Sequence, residues 1–217
     1  MARQRLKPWQ LSQKSKRRFG VIDPNIKVLI VTEGLTEANY FENYKTSDNL
    51  IIIKNEGDSK RSLVEKAIEE KARAIHEEGF DENDHFWVVM DRDVTGSNKK
   101  DKDQFNAAMQ LAKNNKISVA WSNDAYELWP LLHFQDLRSS VPRHQLRAML
   151  TRHLGERYDK SHPTAYFERL LPNRAKAISR AKSIFSEVED HMHGKINPST
   201  SIHLLVELLM PKPDQES

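Results

Sequence analysis

The chain has 217 residues, 30% of them charged and 38% apolar, with a net charge of +3 and no cysteine. This is the balance of a globular chain, and the lack of cysteine excludes a disulfide framework and a thiolate zinc site. No run approaches the roughly 20 apolar residues that span a bilayer. Met1-Ala2-Arg3-Gln4-Arg5-Leu6-Lys7 also lacks the apolar core of a secretory signal, so a cytoplasmic location without a membrane partner is expected.

In chain order, residues 1–22 read as a basic, flexible arm. Arg3, Arg5, Lys7, Lys14, Lys16, Arg17 and Arg18 all precede the first acid, Asp23. Such an arm can neutralise nucleic-acid phosphates; the plainer reading is a solubilising terminus. Lys27–Thr32 predicts a strand, followed by Glu33-Gly34 and a helix over 36–46 with Thr36 as its N-cap. Leu50–Ile53 is a second, β-branched strand. Leu63, Val64, Ala67, Ile68 and Ile75 recur at helical spacing over 62–78, and Gly79 is placed to stop that helix. A strand over 85–90 delivers Asp91 and Asp93. A polar loop, a helix over 102–114 and a fourth strand over 117–121 follow. Beyond Asn123 no strand pattern recurs. Segments 126–134, 142–154, 164–170, 174–192 and 198–209 read as helices, with Pro142 and Pro198 as first-turn prolines.

Alternating strands and helices argue for a parallel sheet flanked by helices. The expected organisation is the arm 1–22, an α/β domain over 23–135 and a helical C-terminal region over 136–217 packed on it. A second basic stretch, Arg169, Arg174, Lys176, Arg180 and Lys182, reads either as a nucleic-acid surface or as one solvated helix face.

Two apolar runs end in acid. Short unbroken runs of this kind are strands buried on both faces, and ligands bind beyond the carboxyl ends of such strands. Asp91 and Asp93 are two apart and share a face, with Arg92 opposite. Glu33 can add a third carboxylate from a neighbouring strand. Hard oxygen ligands in that number suit Mg²⁺ or Mn²⁺, which can activate water against a phosphodiester. Gly34 would allow close approach of backbone or phosphate. Taken alone, Asp-x-Asp after a strand is also an ordinary acidic loop.

Glu-Gly closing one strand and Asp-x-Asp closing a later one resemble the TOPRIM fold of topoisomerases, primases and OLD-type nucleases. The segments Ile30–Phe41, Trp87–Asp93, Trp121–Phe134 and Asn197–Leu205 are similar to the RloB family, so the resemblance runs from about Lys27 to Leu209. It implies a TOPRIM-like protein of bacterial restriction and phage-defence loci, often paired with an ATPase of the AAA type. It also implies metal-dependent cleavage of DNA or tRNA, with Glu33, Asp91 and Asp93 as the metal-binding acids. The third segment departs from the family pattern at Asp124, where proline is common, and at Tyr126, where phenylalanine is common. Glu127 is intact.

Around this core the sequence offers further candidates. Glu127 is a further ligand or water-orienting group, or else half of a capping box with Asp124, and Ser122 and Asn123 stand beside it. Glu37 lies in the first helical turn, where a carboxylate also favours the helix dipole. His133 can act as acid or base near neutral pH or be a satisfied core residue. Tyr126 and Trp129 can stack bases or pack, and Tyr40 reads as packing. His191-Met192-His193 diverge in direction on a helix and make a poor metal site. There is no Walker loop and no nucleophile elbow. The expected function is a Mg²⁺- or Mn²⁺-dependent nuclease, with oligomeric state left open. Its rival is a non-catalytic metal-binding adaptor of an AAA ATPase.

Overall fold

The computed structural model describes residues 26–58, 60–92, 99–159, 164–185 and 197–210, apart from the side chains of 99–102 and 164–165. The arm 1–22 and its basic residues lie outside the described residues, as do Asp93 and the His191-Met192-His193 triplet.

The expected strands form one sheet. β1 (Ile26–Thr32), β2 (Asn49–Asn55), β3 (His85–Asp91) and β4 (Ser118–Asn123) are parallel in the order β2-β1-β3-β4. Helices α1 (Leu35–Glu42), α2 (Lys60–Glu77) and α3 (Lys99–Asn114) connect them. The second half is helical, as expected: α4 (Leu128–Phe134), α5 (Arg143–Leu154), α6 (Thr164–Leu170), α7 (Arg174–Phe185) and α8 (Ile202–Leu209), with a single 3-10 turn between α6 and α7.

The unbroken apolar runs of β1 and β3 have a direct cause: both faces of the sheet are covered. Val28 and Ile30 point into a core shared with Tyr40 and Phe41 of α1, Leu146 and Leu150 of α5, Ile178 of α7 and Leu205 of α8. Leu29 and Val31 point the other way, onto Leu63 and Val64 of α2 and Phe105 and Ala108 of α3. The same alternation in β3 puts Val89 in the first core and Val88 and Met90 in the second. By that phase Asp91 faces the C-terminal helices. Arg92 takes the opposite face, its guanidinium carbon 4.7 Å from the centre of the Phe105 ring.

Gly79 does end α2, at φ +76, with the N–H groups of Glu78 and Phe80 both donated to the Ala74 carbonyl. Other expected ends are corrected. α1 begins at Leu35 with Gly34 at its N-cap, so Thr36 lies inside the first turn. It stops at Glu42 because the Asn43 side-chain amide takes the carbonyls of Asn39 and Tyr40. Pro142 is the N-cap of α5, in extended backbone, and not a first-turn residue.

Pro198 is in no helix: it leads into β5 (Ser199–Thr200), which pairs antiparallel with β4. A two-residue strand has no periodicity to read. Its strength lies in side chains. Trp121 donates its N–H to Ser201 Oγ at 2.9 Å, and the Trp121 carbonyl accepts from Ser201 N at 2.9 Å and Thr200 Oγ1 at 3.0 Å. Ser122 Oγ and Thr200 Oγ1 are 2.9 Å apart. The far edge of the sheet is thus covered.

Replacing Ser201 by Ala strips the buried Trp121 N–H of its acceptor, a loss of roughly 1–3 kcal/mol. Thermal denaturation of Ser201→Ala should show a midpoint several degrees below that of the parent.

Candidate active site at the carboxyl ends of β1 and β3

From β1 the chain passes to β2 on one side, while β3 lies on the other, so the order reverses between β1 and β3. Connections that part in opposite directions leave a crevice at the carboxyl ends of these two strands. Glu33 and Asp91 both stand there. Glu33 extends the pairing one step past β1, its N–H donated to the Val89 carbonyl at 3.1 Å. Its carboxylate bends over the end of β3, where Oε2 accepts the Asp91 N–H at 3.2 Å. The buried Asp91 carboxylate is held from two sides. Oδ1 accepts the Tyr126 N–H at 2.7 Å, and Oδ2 accepts Arg143 Nη2 at 2.8 Å. Two of the three expected acids therefore meet in one crevice. Among the described residues no group of three or more His, Asp or Glu is placed to hold a metal ion.

The role of Gly34 differs from the expected one. Its φ of −133 is open to any residue, so space and not backbone freedom calls for glycine. A Cβ there would meet Glu37 Oε2 at 2.6 Å. What approaches Gly34 closely is the carboxylate of Glu37, folded back from the first turn of α1 over the helix N-terminus, where negative charge is favoured. Glu37 is buried.

Glu127 itself stands at the N-cap of α4, and its side chain makes no cap bond to the turn that follows. It is fully buried, and its Oε1 accepts Arg147 Nε at 2.8 Å. Tyr158 lies among these acids. Burial first, then the Glu127 and Glu37 carboxylates, push its hydroxyl far above the ordinary range, with Arg147 opposing. The Tyr126 hydroxyl is raised by burial, then by Tyr40 and Glu37.

The remaining candidates are buried or paired within the fold. Ser122 is committed to Thr200 and Asn123 is buried in the β4–β5 pair. His133 is buried on α4, its ring edge-on to Trp129 and its Nδ1 3.1 Å from the Trp129 carbonyl. Burial lowers its pKa to about 4, so it is neutral near pH 7. Tyr126 and Trp129 are buried, which leaves no face for a base. Tyr40 packs edge-on against Phe41, Phe167, Tyr126 and Trp129. In the second basic stretch Arg169 pairs with Glu156, Lys182 with Glu207, and Arg180 donates to the Leu132 carbonyl. Arg174 lies over the Tyr44 ring. These four cations have partners within the fold.

Sequence reasoning missed Arg143 and Arg147. Their spacing of four puts them on one side of α5, but nothing in the sequence joins either to an acid 52 or 20 residues away.

Fold and site together define a class: an open, mostly parallel α/β sheet with two carboxylates side by side at its switch point. The family described as RloB-like protein matches residues 28–209, and the chain belongs to that family. No curated protein and no solved structure matches it.

The lowered pKa of His133 makes the fold sensitive to acid. The folded state resists protonating an imidazole that the unfolded chain protonates near 6.5, so this contribution is complete above pH 6.5. It is lost as pH falls to about 4, a change of about 3 kcal/mol. Urea unfolding at pH 7 and pH 4.5 should show the loss, and His133→Gln should lessen the difference between the two.

Proposed function

We propose that this protein is a Mg²⁺- or Mn²⁺-dependent nuclease of the TOPRIM type, which hydrolyses nucleic-acid phosphodiesters. The observation that carries this reading is the Glu33 carboxylate resting on the Asp91 N–H at the switch point of the sheet. Mg²⁺ takes one or two protein carboxylates and leaves its other positions to water and phosphate, and the donor set fits that habit. Asp91 also already faces a cationic group, the Arg143 guanidinium. Glu33 and Asp91 would hold the ion, with Asp93 as a third ligand. When bound, such an ion polarises a phosphoryl oxygen and makes water a better nucleophile.

The chain's own residues supply the setting. The Tyr126 N–H fixes one oxygen of Asp91, and the Val89 carbonyl fixes the backbone of Glu33. The hydroxyls of Tyr40, Tyr126 and Tyr158 are all raised by burial, so none offers a phenolate nucleophile at neutral pH and water is the attacker. Glu127 and Glu37 add negative charge near Tyr158, and Glu127 is a candidate for orienting the water. Asn123 and Ser122 hold the strand end from which Glu127 follows, and His133 holds α4.

The arm 1–22 supplies cations for nucleic-acid backbone. The RloB resemblance supports a cytoplasmic effector of bacterial phage defence that works with an AAA-type ATPase. The second reading is a non-catalytic metal-binding adaptor or regulatory subunit of such an ATPase.

One assay separates the two. Purified protein, with and without the partner ATPase, is incubated with labelled DNA and with tRNA in Mn²⁺ or EDTA. The nuclease cleaves in Mn²⁺ only, and Glu33→Ala and Asp91→Ala each lower the rate at least about 100-fold. No cleavage under any condition, or cleavage that persists in both variants, sinks the nuclease reading.

A further inference from the structure

Arg143 and Arg147, one turn apart on α5, each reach a carboxylate, but their settings differ. Arg147, itself 44% exposed, holds Glu127, whose carboxylate is fully buried and so out of reach of a cation in solvent. Arg143 holds Asp91 at the rim: the arginine side chain is 33% exposed and the carboxylate 10%. Leu146, Leu150 and Leu154 anchor α5 in the core, while the Arg143 guanidinium hangs on a flexible stem from the first turn. It can leave Asp91 without moving the helix.

The chemistry of Asp91 says when it would leave. Oδ1 already accepts a short backbone N–H bond, and Oδ2 is the oxygen that Arg143 occupies. A guanidinium and a divalent ion drawn to the same oxygen oppose each other, because like charges a few ångströms apart in a crevice repel strongly. A guanidinium displaced at that rim carries a planar fork that fits two phosphate oxygens. We propose that Arg143 is the internal counter-ion of Asp91, that divalent metal displaces it, and that the released guanidinium then binds the phosphodiester. This inference rests on the metal-dependent nuclease reading.

The test uses the full-length protein and Mn²⁺ alone. Calorimetric titration of Arg143→Ala, and of Arg143→Gln, which keeps a donor for Asp91 and so protects the fold, should show Mn²⁺ binding about tenfold tighter than in the parent. Binding of a labelled duplex is then followed against salt. In Ca²⁺ the slope of log affinity against log salt should fall by about one in Arg143→Gln, whereas in EDTA parent and variant slopes should agree. Mn²⁺ affinity that is unchanged or weaker in both variants overturns the displacement and leaves the nuclease reading standing. Equal slopes in Ca²⁺ overturn the transfer to phosphate. A parent protein that binds no Mn²⁺ overturns both readings at once.

Discussion

The parallel register of β1 against β3 is the constraint from which the rest of the site follows. Thr32 lies opposite Val89, so the residue after Thr32 arrives level with the end of β3 and its carboxylate meets the Asp91 N–H. Both strands are buried on both faces, and each face fits a different set of helices. A slip of one residue would exchange the two faces of β3. Asp91 would then turn into the layer where Arg92 now lies over Phe105, and the two acids would part. Hydrophobic burial thus sets the position of the carboxylates, although none of the residues doing so is polar.

The two layers of helices differ in what they give to the crevice. α2 and α3 cover the face away from Asp91 and contribute apolar packing and the ring beneath Arg92. The opposite layer, built largely from the helical second half, contributes charge. α5 brings two arginines to two acids, α1 brings Glu37, and the turn before α4 brings the Tyr126 N–H and Glu127. The C-terminal helices are the cationic wall of the crevice as well as the cover of the sheet. They share one continuous core with β1 and α1.

Much of this was legible in the sequence, for physical reasons that also explain the rest. β1 and β3 were readable because strands buried on both faces lose polar alternation, and their terminal acids were readable because charge at the end of such a run has no packing purpose. The stop at Gly79 was readable because it needs a positive φ. What escaped was what depends on meetings across the fold. β5 owes its place to hydroxyls that seek the backbone of Trp121, and two residues carry no period. The need for glycine at position 34 comes from a carboxylate three residues on, folded back upon it. Arg143 and Arg147 looked like any exposed pair on a helix, because only the tertiary fold carries α5 to the strand ends. At His133 the sequence left two readings open, acid–base group or core residue, and burial holds it neutral in the core.

The clasp of Ser199, Thr200 and Ser201 on β4 has a consequence in time. Ser201 lies 80 residues downstream of the Trp121 N–H it accepts. A ribosome adding roughly 5–20 residues per second needs on the order of 4–16 seconds to cover that interval. Throughout it the outer edge of β4 is bare and α8 does not yet exist. The acids of β1 and β3 are synthesised early, but their finished surroundings wait for almost the last described segment of the chain. A nascent polypeptide therefore passes through a period in which it owns the carboxylates and lacks the architecture to use them.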